Sequence, residues 1–261
     1  MSNPWPQRSP KTFGQIPVNA GVRRDVTDPF STVDYWYDAT DQSTVWADQA
    51  GTIPISNGVR ALRWDSKGLI PLSLTSGAAN TAIWQLNQIG GLPALTVSGG
   101  GTLAALAAIG SGPNGASHFA VGRAPALFPA PQGLLGGSWQ QSPGADSFAQ
   151  IITVTGLIRT LHHFTGFVTL KASGVGTEWY WLYQTISTAG NYKLRVSGEP
   201  VVTGNATYDP ILDGAGILRD SGTNSDDAEI MRWNNRVLTD AELQQLIDYA
   251  ETKYGGVFPI P

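Results

Sequence analysis

The chain has 261 residues, a formal net charge of −4 and no cysteine. A negative net charge gives no field that would attract nucleic acid or an anionic membrane, and the absence of cysteine excludes disulfides, thiolate catalysis and thiolate metal sites. Charged residues make up only 14% of the chain while glycine and proline number 31 and 17, which is typical of a turn-rich folded protein. We expect one domain.

Residues 1–33 are predicted to form an extended N-terminal arm, because five prolines interrupt every helix and strand period. Four cations and two acids give the arm a formal charge of +2, so the remaining 228 residues carry a formal charge of −6. A disordered tail is the alternative, but the arm contains apolar side chains that a solvated tail would not need. The side chains expected to hold the arm against its own domain or a neighbouring molecule are Trp5, Arg8, Lys11, Phe13, Arg23 and Arg24.

From Val33 onward, short runs rich in β-branched and aromatic residues alternate with turn signals. At least nine runs have the length of a strand, among them "RALRWD", "SHFAVGRA", "TEWYWLYQTI" and "AEIMRW". No internal repeat has a fixed period, which argues against a propeller or a solenoid. The pattern predicts an all-β sandwich, barrel or jelly roll.

The last part of the chain predicts one α-helix over about residues 239–254. Thr239 and Glu242 have the spacing of a capping box, in which each side chain bonds the backbone N–H of the other residue. Apolar residues recur at helical spacing on one face, and Gly255 and Gly256 provide the stop signal. The helix should pack this apolar face against the β-sheets.

Three stretches together resemble a known family. "YWYDATDQSTVWADQAGTIPISNGVRALRWDSKG" (Tyr35 to Gly68), "GLPALTVSGGGTL" (Gly91 to Leu103) and "AEIMRWNNRVLTDAELQQLIDYAETKYG" (Ala228 to Gly255) are similar to the opening and the ending of laminin-G-like domains in the concanavalin A-like jelly-roll superfamily. The resemblance implies a jelly-roll β-sandwich over residues 34–261 that closes with a strand and a helix. Such modules occur in tailed-phage virion proteins and in secreted sugar- or protein-binding proteins.

Carboxylates give a weak signal for catalysis. Sugar-cleaving members of the superfamily carry carboxylates in a pattern similar to E-x-D-x-x-E. The nearest match here is Asp227 and Glu229, which regular strand geometry would place on one face of the sheet. Arg232 stands where a third acid is wanted. We therefore expect Glu229 to be a structural group and the protein not to be an enzyme.

Metal sites are also disfavoured. Adjacent strand residues point to opposite faces, so His162 and His163 cannot bind one metal together, and His118 is expected to be a surface or core residue. A structural calcium ion is an alternative at the acidic run from Arg219 to Glu229, although its spacing matches no EF-hand. Its ligands would be Asp220, Asn224, Asp226 and Asp227. No cofactor is expected.

One strand carries a candidate carbohydrate platform. In "TEWYWLYQ", the side chains of Trp179, Trp181 and Tyr183 alternate onto one sheet face, where a row of aromatic rings could stack against sugar rings. The competing interpretation is that this face packs inside the protein.

The resemblance and the arm together favour a non-enzymatic phage capsid decoration protein that binds the outer capsid surface through its arm. Its expected partners are the major capsid protein and copies of itself, with a trimer as the guess for the oligomer. Neither nucleic acid nor a membrane is an expected partner. The alternative is a carbohydrate-binding module of a phage tail or surface protein. The expected location is the virion, after synthesis in the host cytoplasm.

Overall fold

A computed structural model describes residues 28–76, 82–97, 102–108, 114–123, 133–134, 138–140, 146–152, 158–162, 166–171, 178–205, 215–219 and 225–260. All six predicted arm contacts lie outside the described residues.

Within this part of the chain the structure has eighteen strands, two short 3₁₀ helices and one α-helix. The strands are β1 (Tyr35–Asp38), β2 (Val45–Trp46), β3 (Arg63–Asp65), β4 (Ser73–Thr75), β5 (Ile83–Ile89), β6 (Leu92–Val97), β7 (Thr102–Ala108), β8 (Ala116–Arg123), β9 (Gly133–Leu134), β10 (Ser138–Gln140), β11 (Asp146–Ile152), β12 (Ile158–His162), β13 (Gly166–Lys171), β14 (Tyr180–Ile186), β15 (Asn191–Val196), β16 (Val202–Asn205), β17 (Ala215–Arg219) and β18 (Ser225–Trp233). The 3₁₀ helices are Pro29–Thr32 and Gln42–Thr44, and the α-helix is α1 (Asp240–Tyr254).

The strands form two antiparallel sheets. Sheet A has the order β16-β15-β14-β8-β18-β6-β5, and β1 pairs with the C-terminal half of β18. Sheet B has the order β13-β12-β11-β10-β17-β7-β4-β3-β2, and β9 pairs with β11. Together with the single C-terminal helix, this arrangement confirms the predicted all-β jelly-roll sandwich.

The central strands of sheet A are buried on both faces. One face contributes residues such as Tyr37 and Leu182 to a core shared with Trp64 and Leu74 of sheet B. The opposite face packs against α1 in a second core. Strands that are covered on both sides lose the apolar–polar alternation of a half-exposed sheet, and every residue of β14 is buried accordingly. The described part of the molecule therefore has three layers: α1, sheet A and sheet B.

Helix α1 forms as the sequence predicts. The Thr239 hydroxyl accepts from the Glu242 N–H, and the Glu242 carboxylate accepts from the Thr239 N–H at 2.8 Å, so the capping box is complete. Gly255 ends the helix in the left-handed region at φ 73°, where a side chain would be strained. No helix among the described residues is both long and apolar enough to cross a membrane.

The segment just before β1 is packed against the sandwich. Pro29 and Val33 are buried, and the Trp233 indole N–H donates to the Pro29 carbonyl at 3.1 Å. The Phe30 ring lies 4.8 Å from the ring of Tyr249 on α1. Residues 29–33, which the sequence assigned to the arm, therefore contact the folded domain.

Candidate functional site

The aromatic row on β14 lies under α1. Trp179, Trp181 and Tyr183 share one face of sheet A as predicted, and the rings of Trp181 and Tyr183 are parallel with centroids 6.4 Å apart. Their exposed fractions are only 5%, 3% and 3%, because the apolar face of α1 covers them. The Trp181 indole N–H also donates to Glu251 of α1 at 2.9 Å. The candidate carbohydrate platform is therefore not open in the structure, where these rings belong to the core, as the competing interpretation expects.

A β-bulge separates the two carboxylates of β18. Asp227 pairs with Gly122 and Glu229 pairs with Val121, so the two acids stand opposite consecutive residues of β8. Consecutive residues of a strand point to opposite faces. The expectation that Asp227 and Glu229 share a face is therefore wrong, because regular alternation does not hold across the bulge.

Glu229 is the centre of a buried polar network beneath α1. Its side chain is fully buried and accepts from the Trp36 indole N–H at 2.6 Å and from the Tyr249 hydroxyl at 2.8 Å on one oxygen. The other oxygen accepts from the Tyr254 hydroxyl at 2.9 Å and the Lys253 ammonium at 3.1 Å. These four donors satisfy the carboxylate, in agreement with the structural role expected for Glu229.

Asp38 on β1 shares the Lys253 ammonium with Glu229. One Asp38 oxygen lies 2.9 Å from Lys253 Nζ and 2.6 Å from Lys67 Nζ, and the other accepts from the hydroxyl of Thr40 at 2.6 Å. Burial alone would raise the pKa of Asp38, but the two ammonium groups and the hydrogen bonds outweigh it and the pKa is lowered. This network joins β1, β18 and α1 through groups that satisfy one another.

Those of the remaining polar candidates that the structure describes do not group into a metal site. His118 is buried on β8, His162 lies on β12 and His163 lies outside the described residues. Asp226 accepts from Thr96 and Arg123, both at 2.6 Å, while Asp220 and Asn224 also lie outside the described residues. Within the part of the chain that the structure describes, no group of three or more His, Cys, Asp or Glu side chains could hold a metal ion.

The outward face of β2, β3 and β4 presents a different cluster, which we call the Trp46 patch. On these strands Val45, Trp64 and Leu74 point into the core. The alternate residues, which are partly exposed, point away from the core. The Trp46 patch consists of Trp46, Arg63, Asp65, Ser73 and Thr75.

Strand register places the members of the Trp46 patch side by side. Trp46 pairs with Arg63 and Arg63 pairs with Thr75, so an indole, a guanidinium and a hydroxyl form a row across three strands. Neighbouring strands lie about 4.8 Å apart, so the row spans roughly 10 Å, the size of one or two sugar rings. Asp65 and Ser73 form the adjacent pair on the same face.

Asp65 organises the Trp46 patch. Its carboxylate accepts from the Trp46 indole N–H at 2.7 Å, from Arg63 Nε at 2.6 Å and from the Ser73 hydroxyl at 2.6 Å. Burial alone would raise the pKa of Asp65, but the hydrogen bonds from Arg63, Ser73 and Trp46 outweigh it and the pKa is lowered. Asp65 therefore stays ionised at neutral pH and fixes the orientation of the indole and the guanidinium.

A loop next to the Trp46 patch holds Arg63 from its other side. Arg63 Nη1 donates to the carbonyl of Ala50 at 3.0 Å, and a Cβ on Gly51 would lie 3.0 Å from the same guanidinium. The Asp48 carboxylate accepts from the N–H groups of Thr52 and Ile53 at 2.9 and 2.8 Å, which ties the loop into one conformation. Nη2 of Arg63 has no hydrogen-bond partner within the described part of the chain.

The Trp46 patch could not be found from the sequence alone. Alternation in "RALRWD" does indicate that Arg63 and Asp65 share a face. What it cannot indicate is that Trp46, 17 positions before Arg63, is the neighbour of Arg63 in the sheet. That neighbour depends on the long-range pairing of β2 with β3.

Solved structures with the same fold include a sialidase in complex with ligands and a neurotoxin binding domain. The Trypanosoma rangeli sialidase in complex with sialic acid matches with a TM-score of 0.55 at 14% identity, over 82% of this chain and 37% of that chain. The same sialidase in complex with 2,3-difluoro-KDN matches with a TM-score of 0.54 at 12% identity, over 87% of this chain and 33% of that chain. The botulinum neurotoxin serotype G binding domain matches with a TM-score of 0.58 at 10% identity, over 84% of this chain and 51% of that chain. No protein-family model and no curated protein matches the sequence.

These comparisons correct one prediction and leave others open. The expectation that the protein is not an enzyme is contradicted, because sialidases are among its structural neighbours and the fold thus occurs within enzyme chains. The neighbours support a jelly-roll-like sandwich but give no support to the laminin-G or phage assignment. The chain spans about a third of the sialidase and half of the toxin domain, and identities this low establish the fold alone. The chain thus has a β-sandwich fold that it shares with parts of these proteins.

Proposed function

We propose that this protein binds glycans and that the Trp46 patch is its binding surface. The single observation that carries the proposal is the Asp65 carboxylate, which holds an indole and a guanidinium side by side on the outward face of sheet B. An aromatic ring beside fixed polar groups is the combination that sugar recognition needs. The ring covers the apolar C–H face of a pyranose, while the polar groups bond its hydroxyls.

Pre-organisation supports this proposal. Arg63 is held by Asp65 on one side and by the Ala50 carbonyl on the other, and Trp46 is held through its indole N–H. Side chains that are already fixed lose little conformational entropy when a ligand binds, so weak individual contacts can add up to measurable affinity. The Trp46 patch also lies on strands, which position side chains more accurately than loops do.

The comparisons support binding in a general way. One structural neighbour is described as being in complex with sialic acid and another as a binding domain. Both descriptions concern those proteins. They support the proposal only in that a sandwich of this fold occurs within a protein that has been found in complex with a sugar and within a binding domain. They agree with the carbohydrate-binding alternative from the sequence better than with capsid decoration.

A glycan array probed with the labelled full-length protein tests the proposal. The wild-type protein should bind a defined subset of glycans, and Trp46→Ala should abolish that binding while its far-ultraviolet circular dichroism remains that of the wild type. Leu69→Ala is the matched control, because Leu69 is 65% exposed and does not belong to the Trp46 patch. Absence of binding to every glycan, or equal binding by Trp46→Ala, would refute the proposal.

Capsid decoration through the arm stays a prediction, because residues 1–27 lie outside the described residues. Its test is deletion of residues 1–27 followed by a sedimentation assay with capsids. Loss of co-sedimentation would support the arm contacts, and unchanged occupancy of the capsid would contradict them.

A further inference from the structure

We infer that the Trp46 patch selects an uncharged sugar with two neighbouring hydroxyl groups, such as a hexopyranose, over the corresponding acidic sugar. This inference rests on the proposed glycan-binding function and specifies its ligand. It follows from the charge balance of the Trp46 patch and from the hydrogen-bonding groups that remain free there.

The charges of the Trp46 patch cancel. Arg63 is its cation, and the ionised Asp65 lies 2.6 Å from the Nε atom of that guanidinium. A carboxylate brought to the free edge of Arg63 would be attracted by the guanidinium and repelled by the neighbouring Asp65 carboxylate. Asp48, the nearest acid along the chain from Trp46, adds a second negative charge on the neighbouring loop. An anionic ligand would therefore lose its hydration without a compensating attraction.

The unused hydrogen-bonding groups suit hydroxyls. Nη2 of Arg63 carries two N–H donors without a partner among the described residues, and the Thr75 hydroxyl beside it is likewise unpaired within that part of the structure. Asp65 already accepts three hydrogen bonds, so it has room for about one more donor. Two adjacent hydroxyls of a sugar can accept from Nη2 and donate to Thr75 or Asp65.

The indole adds the apolar part of the recognition. Trp46 lies directly across the strand pair from Arg63, and the Cβ atoms of residues so paired lie about 5 Å apart. A sugar whose C–H face rests on the indole would therefore reach Arg63 and Thr75 with neighbouring hydroxyls. A single aromatic ring and about three hydrogen bonds fit one sugar unit.

Matched neutral and acidic probes test this inference. Methyl glucoside, methyl galactoside and methyl mannoside are titrated into the full-length protein by calorimetry, each beside its methyl uronide. The preferred neutral sugar should bind at least about tenfold more tightly than its uronide, with an affinity that changes little between low and high salt. Equal or tighter binding of the uronide would overturn the selectivity for uncharged sugars while leaving glycan binding intact.

Asp65→Asn provides a reciprocal test. Asparagine has nearly the same shape as aspartate but carries no charge, so Arg63 becomes an uncompensated cation. Compared with the wild type, the ratio of the affinity for the uronide to the affinity for the neutral sugar should rise by about tenfold or more in the variant. Higher salt should weaken the binding of the uronide to the variant. An unchanged preference in a folded Asp65→Asn protein would refute the charge-balance argument. If that variant fails to fold, the ratio of the wild-type affinities for the neutral sugar and its uronide decides the question, together with the salt dependence of binding.

Failure of the proposed function and failure of the inference about ligand charge give different results. Absence of binding to all six probes and to the glycan array would refute the proposed function itself. Binding of acidic sugars alone would refute only the inference about ligand charge.

Discussion

Lys253, in the last turn of α1, places its ammonium 2.9 Å from the carboxylate of Asp38 on β1. The two residues are 215 positions apart in the chain, and both are largely buried. The same ammonium also lies 3.1 Å from Glu229, so it bridges two carboxylates beneath the helix, while Lys67 provides a second cation for Asp38. This contact ties the end of the chain to the first strand of sheet A.

Replacement of Lys253 by methionine is expected to destabilise the protein strongly. Methionine keeps most of the side-chain volume but leaves Glu229 without its ion-pair partner and Asp38 with Lys67 alone. Removal of one partner of a buried ion pair typically costs about 3–5 kcal/mol. Urea denaturation followed by tryptophan fluorescence measures the loss. Lys193→Met is the matched control: its partner Asp240 is 78% exposed, so the loss should stay below about 1 kcal/mol. Equal losses for the two variants would contradict the role of the buried network.

Asp38→Asn should change the pH dependence of stability below about pH 4. Because the pKa of Asp38 is lowered in the folded protein, its stabilising effect is complete above the unfolded pKa of about 3.9 and is lost as the pH falls toward the folded pKa. The free-energy advantage of the wild type over Asp38→Asn should therefore shrink during acidification. Denaturation curves recorded between pH 2.5 and pH 7 provide the comparison, and a constant difference across this range would contradict the assignment.

The difference in stability between the wild type and Glu229→Gln should depend on pH in the opposite direction. Burial raises the pKa of Glu229 despite the nearby Lys253, so the folded protein favours the protonated carboxyl more than the unfolded chain does. The contribution of Glu229 is greatest below its unfolded pKa of about 4.3 and declines as the pH rises through its raised folded pKa. The advantage of the wild type over Glu229→Gln should thus decrease with rising pH. An advantage that grows with pH would show that Lys253 dominates over burial.

Trp181→Ala is expected to lower stability and to have no specific effect on sugar binding. The ring is 3% exposed in the core beneath α1, and deletion of a buried tryptophan costs about 3–5 kcal/mol. Thermal unfolding measures the loss, and calorimetric titration with a glycan at a temperature where the variant is folded measures binding. Loss of glycan affinity with wild-type stability would instead indicate that the aromatic row on β14 is the binding platform.

The C-terminal helix and its limits could be predicted from the sequence because their signals are local. Thr239 and Glu242 are three residues apart, and the capping box they form needs no knowledge of the rest of the fold. Gly255 is an equally local stop signal.

The features that the sequence did not reveal depend on pairing between distant strands. The bulge that separates Asp227 from Glu229 exists only in relation to β8, and the cover over Trp181 depends on where α1 packs. The Trp46 patch depends on the register of β2, β3 and β4, which brings Trp46 beside Arg63. Side-chain alternation predicts which residues of one strand share a face, but it does not predict which strand lies beside it.

The central claim is that the Trp46 patch binds glycans, and the affinity of Trp46→Ala for the best array glycan tests it most directly. Calorimetric titration of the wild type, Trp46→Ala and the Leu69→Ala control should be carried out at one temperature where all three are folded. Stacking on one aromatic ring is worth about 1–3 kcal/mol where the ligand is a nucleic-acid base. With a contribution of that order from the indole, we predict a loss of at least about tenfold for Trp46→Ala and no change for Leu69→Ala. Wild-type affinity in Trp46→Ala would contradict the account.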